Sequence, residues 1–438
     1  MRSSIFMLSV FCLSWSGFIP SNLLAQLEFE RPPIDYTRAD VHDPIAQLQR
    51  AMDRGETRLE FKSERGYLDA LLEYFEIDPD SQTLVFSKTS FQLRQINPRK
   101  PRALYFNRDV YLGWVQNGDV VEVMSVDPKL GPVFYTLEQQ DEQPPQFVRD
   151  RGQCLTCHAS SRTQGVPGLL VRSVFVDRGG QPLLGSGTYT TDHRSPFEER
   201  WGGWYVSGSH GLMRHMGNEL VQDRREPRSL DREAGANVKD LSSRINVTPY
   251  RVPSSDLVAL MILEHQSQMQ NFITLAHYET RMAEHYDQVM NRALERPQNH
   301  VSDSTHRRIA SVGDKLLKYL LMVDEFTLEN PVQGSTHFSE AFQEQGPEDG
   351  QGRSLYHLDL NTRLFRYPCS YMIYSPSYDA LPEAVRDYVS ERLWKILEGV
   401  DEDPDFQHLN AEDRDAIQEI LLETKPDLWP DPTDQADD

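Results

Sequence analysis

The spacing of apolar residues changes along the chain, and this change constrains the fold more than any other feature. Between residues 103 and 207, short runs rich in β-branched and aromatic residues alternate with turn residues, which is typical of strands. The runs cover residues 103–107, 110–115, 120–126, 133–137, 169–176, 187–191 and 204–207. From residue 256 onward, apolar residues recur three and four positions apart, the spacing of a helix with one buried side. The sequence therefore predicts an α+β fold, in which a β-rich half precedes a mainly helical half.

Helices are predicted on both sides of the β-rich region. They cover residues 43–53, 67–77, 256–294, 305–322, 381–397 and 411–422. Together with the strand pattern, they divide the chain into five segments. These are a signal peptide at residues 1–25, a helical extension at 26–102, a β-rich region at 103–250, a helical region at 251–425 and an acidic tail at 426–438.

The first 25 residues have the composition of a secretory signal peptide. Arg2 supplies a positive charge, an uncharged and mostly apolar run follows at residues 5–19, and Ala25 ends a cleavage site. The alternative is an uncleaved membrane anchor, but the run is short for a span and Pro20 interrupts its end. We therefore expect a periplasmic or otherwise exported protein with no transmembrane span after cleavage.

The charge balance excludes some classes of partner. The 438 residues carry a formal net charge of −22, whereas nucleic-acid binding depends on Lys and Arg side chains that neutralise phosphates. The low mean hydropathy also excludes a polytopic membrane protein. An acidic surface favours a basic protein as partner, with an association that salt weakens. The oligomeric state leaves no signature in the sequence.

Residues 154–158 form a C-x-x-C-H motif, the pattern of covalent haem c attachment. Two thiols separated by two residues reach the two vinyl groups of one haem from a single turn of chain. The adjacent His158 then becomes the proximal ligand of the iron. Cys12 lies in the predicted signal peptide, so Cys154 and Cys157 are two of only three mature cysteines. The motif predicts one covalent haem c, with iron, on Cys154, Cys157 and His158.

Three other interpretations of this motif are open. A structural zinc site would need two further ligands at matching spacing, and the sequence has no second C-x-x-C and no H-x-x-H. A redox-active disulfide would usually follow a strand in a thioredoxin-like βαβ pattern, which is missing here. The third alternative is a chance occurrence of the five residues.

Longer segments resemble a group of large exported bacterial proteins that carry a single haem c. These segments are residues 152–175 (GQCLTCHASSRTQGVPGLLVRSVF), 191–218 (which include WGGWYV), 257–281 and 364–385. The resemblance covers roughly residues 100–400 and implies a haem protein and electron transfer, without implying a defined reaction. The chain departs from the small soluble cytochromes c, because the sequence shortly after His158 has the pattern of a strand.

A haem iron that carries electrons usually has a second axial ligand, Met or His. The candidates are His210, which stands between Ser209 and Gly211, His265 on the apolar stripe of the predicted long helix, and Met216. The same two regions hold four further candidates, His193, Met213, His215 and Met269. An open or water-bound iron is the remaining alternative.

Other side chains are weaker candidates for a role at the haem. The aromatic residues Trp201, Trp204 and Tyr205 would stack on the haem or pack in the core. The cations Arg194, Arg200 and Arg214 would pair with haem propionates or form ordinary surface ion pairs. Cys369 is predicted to be a buried free thiol, and Glu264, beside a candidate ligand, is a group that could transfer a proton.

The sequence thus favours an exported electron carrier with one haem c. Because 280 residues follow His158, many more than one haem requires, two alternatives remain. One is a haem-dependent oxidoreductase of the peroxidase type, and the other is a docking or sensor protein that carries haem. The sequence leaves open whether the protein is an enzyme and assigns no catalytic residue.

Overall fold

The computed structural model describes residues 28–141 and 144–429. The predicted signal peptide, with Cys12, lies outside the described residues, and so do residues 430–438 of the predicted acidic tail. The beginning of that tail is packed against the helical half. Leu428 is buried, and the indole nitrogen of Trp429 donates a hydrogen bond to the carbonyl oxygen of Ser390 at 2.9 Å.

The α+β prediction is confirmed. The strands are β1 (Thr83–Val85), β2 (Arg102–Phe106), β3 (Val110–Trp114), β4 (Val120–Asp127), β5 (Gly131–Glu138), β6 (Phe147–Arg149), β7 (Arg172–Val174), β8 (Thr188–Thr190), β9 (Trp204–Tyr205), β10 (Gly208–Ser209) and β11 (Gln333–Gly334). The helices are α1 (Pro44–Asp53), α2 (Leu68–Tyr74), α3 (Leu155–His158), α4 (Leu257–Ala293), α5 (Asp303–Leu320), α6 (Phe338–Gln343), α7 (Pro376–Asp379), α8 (Glu383–Leu397) and α9 (Ala411–Thr424). Short 3₁₀ turns connect several of these elements.

Seven strands form one antiparallel sheet in the order β6-β5-β4-β3-β2-β1-β9. Successive side chains of a strand point to opposite faces, so the alternation in β4 and β5 separates two hydrophobic cores. Val123 and Tyr135 face the core shared with α1 and α2, whereas Met124 and Phe134 face the core shared with the helical half. The sheet therefore lies between the N-terminal helices and the C-terminal helices.

Helix α1 begins where the sequence supplies a cap. The carboxylate of Asp43 accepts hydrogen bonds from the backbone N–H groups of Ile45 (3.0 Å) and Ala46 (3.2 Å), and Pro44 stands in the first turn of α1. The segment predicted as a helical extension also contains β1, which pairs with both β2 and β9. This segment therefore contributes a strand to the sheet as well as two helices.

Helix α4 is the central element of the helical half. It has 37 residues and begins after Asp256, whose carboxylate accepts from the N–H groups of Val258 (2.8 Å) and Ala259 (3.1 Å). From Leu257 to Ala276 every side chain is buried, because the sheet lies on one side and α5 and the other helices lie around the rest. Within the described part of the chain, no helix has both the length and the apolar character needed to cross a membrane.

Candidate haem-attachment site

The C-x-x-C-H motif forms a single helical turn, α3, after strand β6. Asp150 starts this turn, because its carboxylate accepts hydrogen bonds from the N–H groups of Gly152 (3.0 Å), Gln153 (3.2 Å) and Cys154 (2.9 Å). The N–H of His158 then donates to the carbonyl oxygen of Cys154 at 2.9 Å, as in an α-helix. Both cysteines and the histidine are therefore presented by one turn of chain.

The ring of His158 is held by a backbone carbonyl. Its Nδ1 lies 2.9 Å from the carbonyl oxygen of Gly168, and the N–H of Gly168 donates to the carbonyl oxygen of His158 at 2.8 Å. Burial lowers the pKa of His158, so the imidazole is neutral near pH 7 and Nδ1 carries the proton that it donates to Gly168. Nε2 makes no hydrogen bond within the described part of the chain. A neutral imidazole fixed through one nitrogen, with a lone pair on the other, has the chemistry of a metal ligand.

The loop that carries Gly168 is fixed to helix α4. Asn271 accepts a hydrogen bond from the N–H of Leu169 (2.8 Å) and donates to the carbonyl oxygen of the same residue (2.9 Å). Thr163, inside the loop, is buried and donates to the carbonyl oxygen of Val166 at 2.8 Å. The position of the His158 ring thus depends on a chain of contacts that ends in the core of the helical half.

The thiols are free and differ in exposure. Cys154 is half-buried and Cys157 is exposed, and both are unpaired, as is Cys369. Burial, together with the nearby carboxylates of Asp150 and Glu122, raises the pKa of Cys154 to about 12. This thiol is therefore protonated at neutral pH, which is unlike the low-pKa cysteines of redox-active disulfides.

The zinc interpretation gains no support from the fold. Among residues 28–141 and 144–429, no group of three or more His, Cys, Asp or Glu side chains is placed to hold a metal ion. The donor set at the motif is instead two free thiols and one imidazole. This set fits covalent haem c attachment with one protein ligand to the iron.

A partly exposed face of the sheet lies beside His158. The ring of Phe134 on β5 packs against the His158 ring, with centroids 4.9 Å apart. Met124 on β4 is the cross-strand partner of Phe134, so the two side chains share a sheet face. Met124 and Leu104 are half-buried there, next to the core of the helical half. The face offers apolar surface and one thioether close to the motif.

The three ligand candidates from the sequence are engaged elsewhere. In His210, Nδ1 lies 2.7 Å from the carbonyl oxygen of Met213, and Nε2 accepts from the N–H of Asn237 at 3.0 Å. Met216 is buried and accepts a hydrogen bond from Ser173 at 3.8 Å. Each of these side chains already has a structural partner.

His265 belongs to a chain of buried side chains in the helical half. Its Nδ1 lies 2.8 Å from Nδ1 of His193, and its Nε2 lies 2.7 Å from Oγ of Ser370. Both nitrogens of the His265 ring are therefore hydrogen-bonded. The other candidates, Met213, His215 and Met269, are also buried.

The three candidate arginines have carboxylate partners. Arg194 pairs with Asp192 at 2.6 Å and Arg214 pairs with Glu233 at 2.8 Å. Arg200 pairs with Glu264 at 3.1 Å, and both side chains are buried. Burial raises the pKa of Glu264 to about 7, while Arg200 acts in the opposite direction. Arg194 and Arg214 therefore form the surface ion pairs that the sequence left as the alternative, whereas the Arg200–Glu264 pair is buried.

The candidate aromatic residues and Cys369 are core residues. Trp201, Trp204 and Tyr205 are all buried. The indole of Trp204 donates to the carbonyl oxygen of Arg172 at 2.8 Å, and the Tyr205 hydroxyl donates to that of Pro98 at 2.6 Å. Cys369 is fully buried, which raises the pKa of its thiol.

Four residues near the motif were not predicted from the sequence. Gly168 and Asn271 fix His158, Phe134 packs on its ring, and Met124 is the neighbour of Phe134. The signal for Met124 and Phe134 lay in the strand pattern, since opposite positions of β4 and β5 share a face. Asn271 carried no such signal, because a polar residue inside a helix is usually exposed.

The comparisons with known proteins add no relative. No protein-family model, no curated protein and no solved structure matches the chain.

Proposed function

We propose that the chain is an exported c-type cytochrome that carries electrons on one covalently attached haem. Cys154 and Cys157 form the two thioether bonds, and His158 is the proximal ligand. The observation that carries this proposal is the arrangement of His158, whose Nδ1 donates to Gly168 and whose Nε2 makes no hydrogen bond to residues 28–141 or 144–429. Two unpaired thiols on the same helical turn support it.

The attachment needs no further reactant. Each thiol adds across one vinyl group, so that sulfur bonds to one vinyl carbon, the thiol hydrogen ends on the other, and nothing leaves. Bound haem supplies one-electron chemistry at its iron. The chain's own residues keep the donor geometry. Asp150 organises the turn that presents the thiols, and Gly168 sets the orientation of the His158 ring.

The proposed partner is a basic redox protein outside the cytoplasm. The signal peptide interpretation supports export, and the net charge of −22 supports steering of a basic partner. Association with such a partner should weaken with ionic strength. A partner whose association does not respond to salt would contradict this part of the proposal.

A haem-dependent oxidoreductase or sensor is the second candidate, and one observation favours it. The ring nitrogens of His210 and His265 are all hydrogen-bonded, so neither ring can ligate iron without losing a partner. The observation favours an iron without a second histidine ligand, and an exchangeable sixth position is the arrangement that this candidate requires. A high-spin ferric spectrum that responds to azide or cyanide supports this candidate, and a low-spin spectrum that does not respond supports the electron carrier.

The proposal is tested by expressing the full chain together with a haem c maturation system. We expect haem stain to stay with the protein on a denaturing gel. The single variants Cys154→Ala and Cys157→Ala should retain less haem, and the double variant should retain none. Cys369→Ala is the matched control, because it removes a thiol outside the motif. Absence of covalent haem from the wild-type chain would overturn the proposal.

A further inference from the structure

We infer that a cavity in the helical half binds a small organic cation, a primary alkylammonium, with the carboxylate of Glu325 as its anchor. The cavity lies between the loop that follows α5, the loop at residues 362–368 and the segment that precedes α9. None of the residues that line it belongs to the C-x-x-C-H motif or to the segments that fix His158. The inference therefore goes beyond the proposed function and is tested independently of it.

The cavity has the size and the wall of a small-molecule site. Its volume is about 490 Å³, and ligand sites commonly occupy roughly 300–1,000 Å³. The buried residues Met322, Val323 and Pro368 line its inner side with apolar surface. Exposed polar residues from the same three segments line the outer side, so a ligand can enter from solvent.

The loop that carries Glu325 is held in place by contacts with the rest of the fold. The N–H of Phe326 donates to the carbonyl oxygen of His193 at 3.0 Å, and the N–H of Leu328 donates to that of Thr362 at 2.9 Å. At Asp324 the backbone is left-handed, with a φ of +61°, a conformation that persists only where surrounding structure fixes it. The cavity is therefore preformed, which lowers the entropy that binding would cost.

Glu325 has unused hydrogen-bonding capacity inside the cavity. Its side chain is half-buried, and its Oε1 accepts a hydrogen bond from the N–H of Leu364 at 2.7 Å. Its Oε2 makes no hydrogen bond, and the carboxylate forms no ion pair, within residues 28–141 and 144–429. An ionised carboxylate offers about four lone-pair sites, so one hydrogen bond leaves most of this charge uncompensated. A bound cation would compensate it.

The two arginines near Glu325 are already paired. Arg363 lines the cavity, and its guanidinium donates to both oxygens of Asp413, at 2.6 and 3.1 Å. Arg200 lies 5.8 Å from the ring centroid of the residue that follows Glu325, and it donates to Glu264 at 3.1 Å. Neither guanidinium therefore serves as the counter-ion of Glu325.

The other ionisable groups around the cavity also disfavour an anion. Both ring nitrogens of His408 face backbone carbonyl oxygens, that of Leu321 at 2.7 Å and that of Asp405 at 3.0 Å, so neither is free to bind a ligand. Two further carboxylates, those of Asp324 and Asp405, line the cavity, and Lys318 pairs with the second of them. A third, Asp359, lies behind the wall, where its N–H donates to the carbonyl oxygen of Leu364 at 3.0 Å.

A primary ammonium is the cation that fits this lining. Among residues 28–141 and 144–429, no three acidic, histidine or cysteine side chains are placed to hold a metal ion, which disfavours an inorganic cation. An ammonium group donates three hydrogen bonds and accepts none, and its bonds to carboxylates are charge-assisted. The apolar inner side would contact the attached alkyl chain.

The test is isothermal titration calorimetry of the full chain, as purified, with n-butylammonium and putrescine. At pH 8 we expect both amines to bind, and n-butanol and butyrate, which have similar size but no positive charge, not to bind. Burial raises the pKa of Glu325 to about 7. Roughly a thirtieth of this carboxylate is then ionised at pH 5.5, so amine binding should be about thirtyfold weaker there than at pH 8.

Three variants locate the site. Glu325→Gln should weaken amine binding at pH 8 at least as much as the change to pH 5.5 does, and it should remove the pH dependence, while its amide oxygen still accepts from the loop at Leu364. Asp324→Asn should weaken binding by a smaller factor, and asparagine tolerates the left-handed backbone there. Glu329→Gln is the matched control, because Glu329 is exposed and lies outside the cavity. It should bind the amines like the wild type.

The outcomes separate this inference from the proposed function. Failure of both amines to bind the wild type at pH 8 overturns the inference, and so does wild-type binding by Glu325→Gln. Equal binding of n-butanol would assign the cavity to a neutral ligand and overturn it as well. If Glu325→Gln does not fold, the pH dependence of the wild type and the Asp324→Asn variant decide. A chain that binds the amines but carries no covalent haem supports this inference and contradicts the proposed function.

Discussion

Replacing Asn271 by Ala tests how the fold holds His158. Asn271 is buried and makes three side-chain hydrogen bonds, two with the backbone of Leu169 and one with Gln268 at 2.9 Å. Leu169 is itself buried, so its N–H and C=O groups would lose their partner away from water. The higher helix propensity of alanine would offset only a few tenths of a kcal/mol of the stability lost with these hydrogen bonds.

The expected loss follows from these contacts. An unpaired buried backbone group costs about 1–3 kcal/mol, and two such groups are left in Leu169. We therefore expect the free energy of unfolding to fall by about 3 kcal/mol, roughly a hundredfold change in the unfolding equilibrium. Urea unfolding of the haem-free protein with reduced thiols, followed by circular dichroism, measures it.

The control is a residue on the same helix. Gln288 is exposed, so Gln288→Ala changes the helix propensity without removing a buried contact, and it should shift stability by less than about 0.5 kcal/mol. If Asn271→Ala lowered the free energy of unfolding no more than this control does, the hydrogen bonds between Asn271 and Leu169 would not contribute to stability. The explanation of how Gly168 is fixed beside His158 would then be refuted.

Three further predictions concern the loop, the helical half and the iron. Gly168→Ala should lower the free energy of unfolding in urea by about 1–3 kcal/mol, because the added Cβ would clash with the side chain of Asn271. Gly152→Ala is the control, and it should leave the free energy of unfolding unchanged because a Cβ added there meets open space. Burial lowers the pKa of His277 from 6.5 to about 4. Below pH 6.5 this histidine therefore binds a proton in the unfolded chain but stays neutral in the native state, so the free energy of unfolding falls with pH. His277→Leu should remove this pH-dependent loss of stability, which amounts to about 2 kcal/mol between pH 7.5 and 5. If the variant keeps the wild-type pH profile of unfolding, His277 is not the group responsible. In the haem-loaded protein, Met216→Ala should leave the ferric absorption spectrum unchanged, because Met216 is buried and accepts a hydrogen bond from Ser173, and a changed spectrum would place the sixth ligand on this thioether.

The large elements of the fold could be predicted from local pattern. Strand β4 alternates between buried and half-buried residues over its first six positions, β5 contains a continuous apolar and aromatic run, and α4 carries a long stripe of apolar residues. Strands β1 and β6 were not predicted, because each has only three residues. Strand β1 is formed by pairing with β2 and with the distant β9, and β6 pairs only with β5 at the edge of the sheet. The stripe of α4 also suggested one buried side, whereas its first twenty residues are buried all round by segments that the helix sequence does not specify.

The candidate site shows the same limit. The motif identified Cys154, Cys157 and His158, because thioether attachment fixes their spacing within one turn. The polar partners could not be found this way. Arg200 meets Glu264 from 64 positions away, and Asn271 meets Leu169 from 102 positions away.

The mass of the intact mature protein tests the central claim most directly. The full chain, expressed with a haem c maturation system and denatured before mass spectrometry, should exceed the mass of the cleaved polypeptide by that of one haem. The Cys154→Ala/Cys157→Ala double variant should have the polypeptide mass alone. A wild-type mass equal to that of the bare polypeptide would contradict the assignment of the motif to haem, and with it the proposed electron-transfer function.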